Sequence, residues 1–262
     1  MNIFQAIILG IVQGLTEFLP VSSSGHLEIG EVLLGAHIKD SLGFTVVLHC
    51  ATALSTIVVF RKEIVDLFIG FFKFKMNEET SYVFKLIISM IPVGIIGILF
   101  KDKIEALFEG NLLLVGSMLL LTALLLTLSY YVKHKSSRPI SYLDSIIIGI
   151  AQGIAVLPGL SRSGSTIATG LILGNNKPEV ARFSFLMVIL PILGMTLLDI
   201  KSGAFASMQG VLIPTIAGFI TAFIIGYITC SWMVSLVKKG KLIWFAVYCA
   251  IVGIVAVGAS LL

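Results

Sequence analysis

Apolar residues fall along this chain in long blocks, and the polar residues between the blocks define the elements. A helix that crosses about 30 Å of hydrocarbon needs roughly 20 apolar residues. Five blocks approach that length: Phe44–Phe60, Tyr82–Phe100, Leu112–Val132, Val211–Val237 and Leu242–Leu262. A sixth, Phe183–Leu198, is shorter but bounded by Arg182 and Asp199, and is also expected to span. Two further regions are interrupted. Phe4–Leu19 stops at Pro20 and the string Ser22-Ser23-Ser24-Gly25-His26, and apolarity resumes only for Leu27–Leu34. Ile140–Leu157 stops at Pro158-Gly159 and Ser161-Arg162-Ser163-Gly164-Ser165-Thr166, then resumes for Ile167–Leu173. Irregular backbone at membrane depth is tolerated only where it is buried in protein or lines a wet cavity. Both regions are therefore expected to be re-entrant helix pairs.

The interrupted regions resemble each other. Gly10-Ile11-Val12-Gln13-Gly14-Leu15 matches Gly149-Ile150-Ala151-Gln152-Gly153-Ile154 at an offset of 139 residues. Leu19-Pro20 matches Leu157-Pro158 after a one-residue slip, and the offset returns at Ser22, Ser24, Gly25 and Leu34-Gly35. Three spans follow each copy, an odd number, so the second copy is inverted in the membrane. The expected fold class is an all-α polytopic membrane protein with an inverted-topology repeat, each half a re-entrant helix pair plus three transmembrane helices. It forms one integral-membrane domain over residues 1–262, with a first repeat over 1–132 and a second over 140–262. Binding sites in such folds lie near the midplane, where half-helix ends meet.

Composition agrees. Hydrophobic residues make up 57% of the 262, charged residues only 12%, and the mean hydropathy is +1.06. Soluble domains carry about 25% charged residues, so a soluble enzyme, a disordered segment and a nucleic-acid-binding domain are all excluded despite the net charge of +4. Cys50, Cys230 and Cys249 lie in apolar runs without CxxC spacing and are expected to act as small buried hydrophobes. The N-terminus lacks a basic region and a cleavage site, so Phe4 onward is expected to be mature protein.

With the six runs as crossings, Arg61, Lys62, Lys73, Lys75, Lys85, Lys133, Lys135, Arg138, Lys177, Arg182, Lys238, Lys239 and Lys241 share one side. Only Lys39, Lys101, Lys103 and Lys201 lie on the other. Positive residues favour the cytoplasm, so both termini are expected outside.

Chemistry concentrates in the breaks. Glu17, His26 and Arg162 are ionisable groups at membrane depth, which makes them functional candidates by default. Gln13 and Glu17 stand four apart on one helical face, and Ser23 and His26 three apart beyond the break. Arg162 occupies the position that matches Ser23, flanked by Ser161 and Ser163. Ser- and Gly-rich turns that open helices offer N–H groups to phosphate oxygens, and a guanidinium adds bidentate recognition. Glu17 would repel a phosphate unless it holds a divalent cation or acts as a base, with Gln13 as a neutral helper at the metal. A hydroxyl and an imidazole are the minimum equipment for attack at phosphorus.

The strings QGLTEFLPVSSSGH (Gln13–His26) and PGLSRSGST (Pro158–Thr166) closely resemble the two signatures of the undecaprenyl-diphosphate phosphatase family, also called the bacitracin-resistance protein family. The likeness covers the whole chain. It implies removal of the terminal phosphate from a C55 polyprenyl diphosphate to give the carrier lipid of cell-wall synthesis, dependence on Mg²⁺ or Ca²⁺, and a pocket opening outward from the plasma membrane. By the same resemblance, Glu17 is the essential acid and, with Gln13, the metal-binding pair. Ser23 and His26 are nucleophile and acid/base in either assignment, and Arg162 grips the diphosphate. Ser22, Ser24, Gly25, Ser161, Ser163, Gly164 and Thr166 are the expected remaining diphosphate contacts. The leading motif residue is often Glu in the family but is Gln13 here, which removes one carboxylate. Expected partners are the polyprenyl diphosphate and the bilayer, with a second copy of the chain as a further one and no nucleic acid.

A second lipid-phosphatase pattern, SRxxxxxHxxxD, fails because Ala168 and Ile172 occupy its last two positions. A polyprenyl-phosphate flippase is the alternative, since inverted repeats with re-entrant turns are transporter architecture. It has little use for an acid, a hydroxyl and an imidazole in one place. A protein that only sequesters bacitracin leaves the acid equally unexplained. Outside the breaks, Glu28 and Glu31 are expected near the outer interface, and His49 as a hydrogen-bonded core histidine rather than a pocket residue. His37 and His134 are expected in solvated connectors, Asp144 at a helix N-terminus, and Trp232, Trp244 and Tyr248 in spans or interfaces.

Overall fold

A computed structural model describes residues 1–35, 42–100, 103, 107, 111–132, 138–201 and 211–261. His37, His134, Lys39, Lys101, Lys133 and Lys135 lie outside these residues. The described chain is helical, and the polar breaks and capping residues set where each helix begins and ends. Asn2 opens α1 (Ile3–Thr16) with a capping box, its side chain accepting from the Gln5 N–H while Gln5 accepts from the Asn2 N–H. Pro20 follows, and a short turn leads to α2 (Ser23–Leu34). The first long apolar run is α3 (Leu42–Val59), which bends by 75° into α4 (Arg61–Phe71). Asn77 caps α5 (Glu78–Leu99) and Asn111 caps α6 (Leu112–Tyr131). Ser141 and Asp144 form a capping box on α7 (Tyr142–Ile154), where Asp144 also takes a bidentate pair from Arg138 at 2.5 and 2.8 Å. Asp144 thus has the helix-N-terminal place expected of it. Ser161 caps α8 (Arg162–Ile172).

Helices α9 (Lys177–Leu186) and α10 (Ile189–Lys201) follow, then α11 (Leu212–Lys239) and α12 (Ile243–Ser260). The α9–α10 interruption has a local cause in Pro191, which has no N–H to give to the Met187 carbonyl and whose ring crowds it. Among the described residues, five helical stretches are long and apolar enough to cross a membrane, or six when the bent α3–α4 pair is counted. This is a multi-pass membrane protein. The stretch Lys177–Leu198 begins six residues before the expected Phe183, because Asn176 and Pro178 start the helix ahead of its apolar part. Helix α4 was not expected at all: Arg61 and Lys62 read as loop charges.

Small residues decide which helices meet. Without a hydrophobic drive between helices in lipid, close backbone approach is what packs them. Helix α1 lies along α11, where a Cβ on Gly10 would sit 2.6 Å from the Gly218 carbonyl oxygen and one on Gly14 would sit 2.9 Å from the Gly226 nitrogen. Helix α7 lies along α5 in the same manner, with Gly149 against the Ser89 carbonyl at 2.4 Å. Helices α6 and α12 cross at Gly116 and Gly253, where a Cβ on either would sit 2.9 Å from the other's carbonyl oxygen. On the outer face of α11, Ile216, Ile220, Ile224 and Ile228 are about half exposed, a stripe that suits lipid. Both polar turns pack around α6: Val115 touches the backbone at Gly25 and Gly159, and the Ser161 N–H donates to Thr122 Oγ1 at 3.0 Å.

Candidate active site

Each half contributes one turn to a single cavity of about 340 Å³. In the first turn Glu17 is the C-cap of α1 and is buried. Ser22 takes a left-handed backbone, φ 71°, a conformation uncommon outside glycine. That reversal starts α2 with Ser23 facing back toward Glu17, and Ser23 Oγ donates to Glu17 Oε2 at 2.7 Å. In the second turn the reversal falls on Gly159, φ 87°, and a side chain there would meet the Val115 carbonyl oxygen at 2.4 Å. Arg162, the first residue of α8, then reaches across the halves, and its Nη2 pairs with Glu17 Oε1. The two turns use matching local bonds, Gly25 N–H to Ser22 Oγ at 3.4 Å and Gly164 N–H to Ser161 Oγ at 3.1 Å.

Gln13 sits one turn before Glu17 and is fully buried. Its Nε2 donates to Glu17 Oε2 and His49 Nδ1, both at 3.0 Å, with Thr52 Oγ1 at 3.4 Å. The Gln13 Oε1 acceptor and the Arg162 Nη1 donor are buried without hydrogen-bond partners among the described residues. An unmet buried donor on a charged group is costly, and an anion in the cavity would relieve it. The remaining walls come from α3 (Val46, His49) and from α10 and the break before it (Val188, Pro191, Ile192, Met195, Thr196). The cavity is thus polar at the two turns and apolar on the α10 side.

The residues expected to act together are only partly brought together. Glu17, Ser22, Ser23, Ser24, Ser161, Arg162 and Ser163 border the cavity, with Gln13 directly behind Glu17. Among the described residues, Gly25, His26, Gly164 and Thr166 are not on its wall. Thr166 caps back onto the Arg162 carbonyl at 2.9 Å and meets Ser184 at 2.5 Å, and Ser163 donates to the Leu19 carbonyl. His26 turns away from Ser23. Its Nδ1 lies 2.8 Å from the Ser22 carbonyl and its Nε2 lies 2.6 Å from the Tyr248 hydroxyl of α12, with the two rings stacked. Glu31 is buried in α2, and neither it nor Glu28 borders the cavity.

His49 and Thr52 border or touch the site from outside both motifs. Their signal was present as a polar stripe inside an apolar run, with His49, Thr52 and Thr56 at helical spacing on α3. Tyr248 gave no such signal.

For a divalent cation, no three His, Cys, Asp or Glu side chains converge among the described residues. The available donors are hard oxygens: the Glu17 carboxylate, the Ser23 hydroxyl and the unpartnered Gln13 Oε1. Mg²⁺ is commonly held by one or two carboxylates and completed by substrate phosphates and water, and this donor set fits that pattern.

The family described as "Bacitracin resistance protein BacA" matches residues 6–255 of the chain. The chain belongs to the BacA family. A protein from Bacteroides fragilis named undecaprenyl-diphosphatase is 58% identical over 99% of both chains. One of the same name from Parabacteroides distasonis is 57% identical over the full length of both. A protein from Methanosphaera stadtmanae, again named undecaprenyl-diphosphatase, is 41% identical over 98% of both chains.

Proposed function

We propose that this BacA-family protein is an undecaprenyl-diphosphatase that converts undecaprenyl diphosphate to undecaprenyl phosphate and inorganic phosphate. It thereby recycles the lipid carrier of cell-wall synthesis and confers bacitracin resistance. The observation that carries this reading is the meeting of Glu17, Ser23 and Arg162, from two distant motifs, at one cavity.

The head group enters between the turns. Arg162 turns its unpartnered Nη1 and shared Nη2 toward phosphate oxygens, and the α2 and α8 N-termini add backbone N–H groups and a positive dipole end. The prenyl chain leaves along the apolar wall of Val46, Val188, Pro191 and Met195. Ser23 Oγ attacks the terminal phosphorus while Glu17 Oε2, already its hydrogen-bond acceptor, takes the hydroxyl proton. The Oγ–P bond forms and the anhydride P–O bond breaks, and Glu17 passes the serine proton to the departing lipid monophosphate. Water then hydrolyses the phosphoserine, with Glu17 returning as base. His26 does not reach the cavity and holds the turn instead. A Mg²⁺ or Ca²⁺ ion held by Glu17, with Gln13 alongside, would neutralise charge on the departing phosphate.

The same reading places the two halves as inverted repeats built on re-entrant pairs. Its support is reciprocal packing: α1 of the first half lies on α11 of the second, and α7 of the second lies on α5 of the first. On this reading the termini and the cavity mouth face the outer side of the plasma membrane, supported by the excess of basic residues in the connectors of the opposite side. That reciprocity also suits a flippase. Detergent-solubilised protein separates the two, because without a bilayer only hydrolysis can consume substrate. EDTA-sensitive phosphate release from a polyprenyl diphosphate is the expected result. Binding without release would transfer the assignment to the flippase.

A further inference from the structure

Among the described residues, His49 is the one imidazole on the cavity wall, and nothing in either motif points to it. Its Nδ1 lies 3.0 Å from Gln13 Nε2, and an amide nitrogen can only donate. Nδ1 is therefore the acceptor, and the ring proton is on Nε2. The reverse amide orientation would set Gln13 Oε1 about where Nε2 now is, within 3.0 Å of Glu17 Oε2, acceptor against acceptor. Gln13 thus spends its two N–H groups on Glu17 and His49. The neutral side chain at position 13 is what makes this possible, because a carboxylate there would have no proton to give Nδ1. The His49 side chain is 31% exposed and borders the cavity, and its Nε2–H has no partner among the described residues.

We propose that His49 is a further substrate-binding residue, whose Nε2–H donates to a diphosphate oxygen of the lipid head group. The other groups facing it are Glu17 and Gln13 from α1, and Arg162 from α8 through its pair with Glu17. Thr196 of α10 pairs with Cys50, the neighbour of His49 on α3, and α11 brings Gly226 against Thr52 and Ser55 of the same helix. His49 and Arg162 thus both present N–H donors to the cavity. This inference rests on the diphosphatase reading for its ligand.

Two amide substitutions separate donation from mere support of Gln13. His49→Gln puts an amide N–H near the Nε2 position but gives up the Nδ1 acceptor. His49→Asn keeps an acceptor near Nδ1 and loses the distal donor. The measurements are the KM for polyprenyl diphosphate and the calorimetric affinity for inorganic diphosphate with Mg²⁺, on full-length protein in detergent. His49→Ala and His49→Asn are expected to weaken both about tenfold, the scale of one hydrogen bond to a charged group, and His49→Gln less than threefold. Wild-type values in His49→Ala, or retention by His49→Asn with loss in His49→Gln, would overturn the proposal. If the wild type failed to turn over polyprenyl diphosphate, the diphosphatase reading would fall. The inorganic diphosphate affinities would still decide the role of His49.

Discussion

Removing either partner of the Glu17–Arg162 pair should destabilise the protein, by unequal amounts, and removing both should cost less than the sum of the two. The Arg162 and Glu17 side chains are only 16% and 6% exposed, so neither charge can recover its hydration in place. Breaking a buried pair from one side costs about 3–5 kcal/mol. In Arg162→Ala, Glu17 keeps Ser23 at 2.7 Å and Gln13 at 3.0 Å as donors, and a carboxyl group can also take up a proton. In Glu17→Ala the guanidinium loses its partner at Nη2, has none at Nη1, and cannot discharge. Arg162→Ala is therefore expected near ~3 kcal/mol and Glu17→Ala near ~5 kcal/mol. For a chain of this size each kcal/mol shifts Tm by about 2–4 °C, so losses of roughly 6–12 °C and 10–20 °C should appear. The double variant should fall at least ~2 kcal/mol short of the sum. Thermal unfolding in one detergent at one pH, followed by tryptophan fluorescence, reads all four proteins. Additive single effects, or two singles indistinguishable from wild type, would refute the buried pair.

Other consequences are simpler to state. Gly149→Ala should sharply lower the yield of folded protein, because its Cβ would sit 2.4 Å from the Ser89 carbonyl oxygen. Gly94→Ala, which meets nothing within 4 Å, should match or exceed wild type in Tm. Tyr248→Phe removes the hydroxyl held 2.6 Å from His26 Nε2 and should lower kcat severalfold with KM nearly unchanged, since that bond steadies the turn behind Ser23; steady-state kinetics would show it. Arg162→Lys keeps the charge but not the fork and should raise KM for polyprenyl diphosphate at least tenfold, as measured by initial rates.

The helical plan was legible because membrane spans are written in block hydrophobicity and breaks in Pro, Gly and Ser. Pro20 and Pro158-Gly159 marked the two turns, and the glycines Gly10, Gly14 and Gly149 of the matched segments proved to be where helix backbones touch. Helix α4 escaped because it has only 11 residues, too few to read as a span, and its charges Arg61, Lys62, Glu63 and Asp66 read as a loop. Within the site, motif residues close in sequence were easy to collect, and the meeting of Arg162 with Glu17 across 145 residues followed from the repeat. Sequence spacing did not fix the direction of a side chain after an irregular turn. Ser23 and His26 share a helix but face different neighbours, because the left-handed backbone at Ser22 rotates the start of α2. His49 was hidden for another reason: one polar residue in an apolar run looks alike whether it meets a core hydrogen bond or a cavity.

The most direct test of the central claim compares wild type, Glu17→Ala and Ser23→Ala for phosphate release from polyprenyl diphosphate, each purified and checked for folding. Nucleophile and base account for most of the rate in such chemistry, so both variants should lose at least about 10³-fold in kcat. They should do so while Ser163→Ala, which borders the same cavity but bonds the Leu19 carbonyl, keeps most of its activity. Full activity in a folded Ser23→Ala or Glu17→Ala protein would mean that the reaction takes place elsewhere.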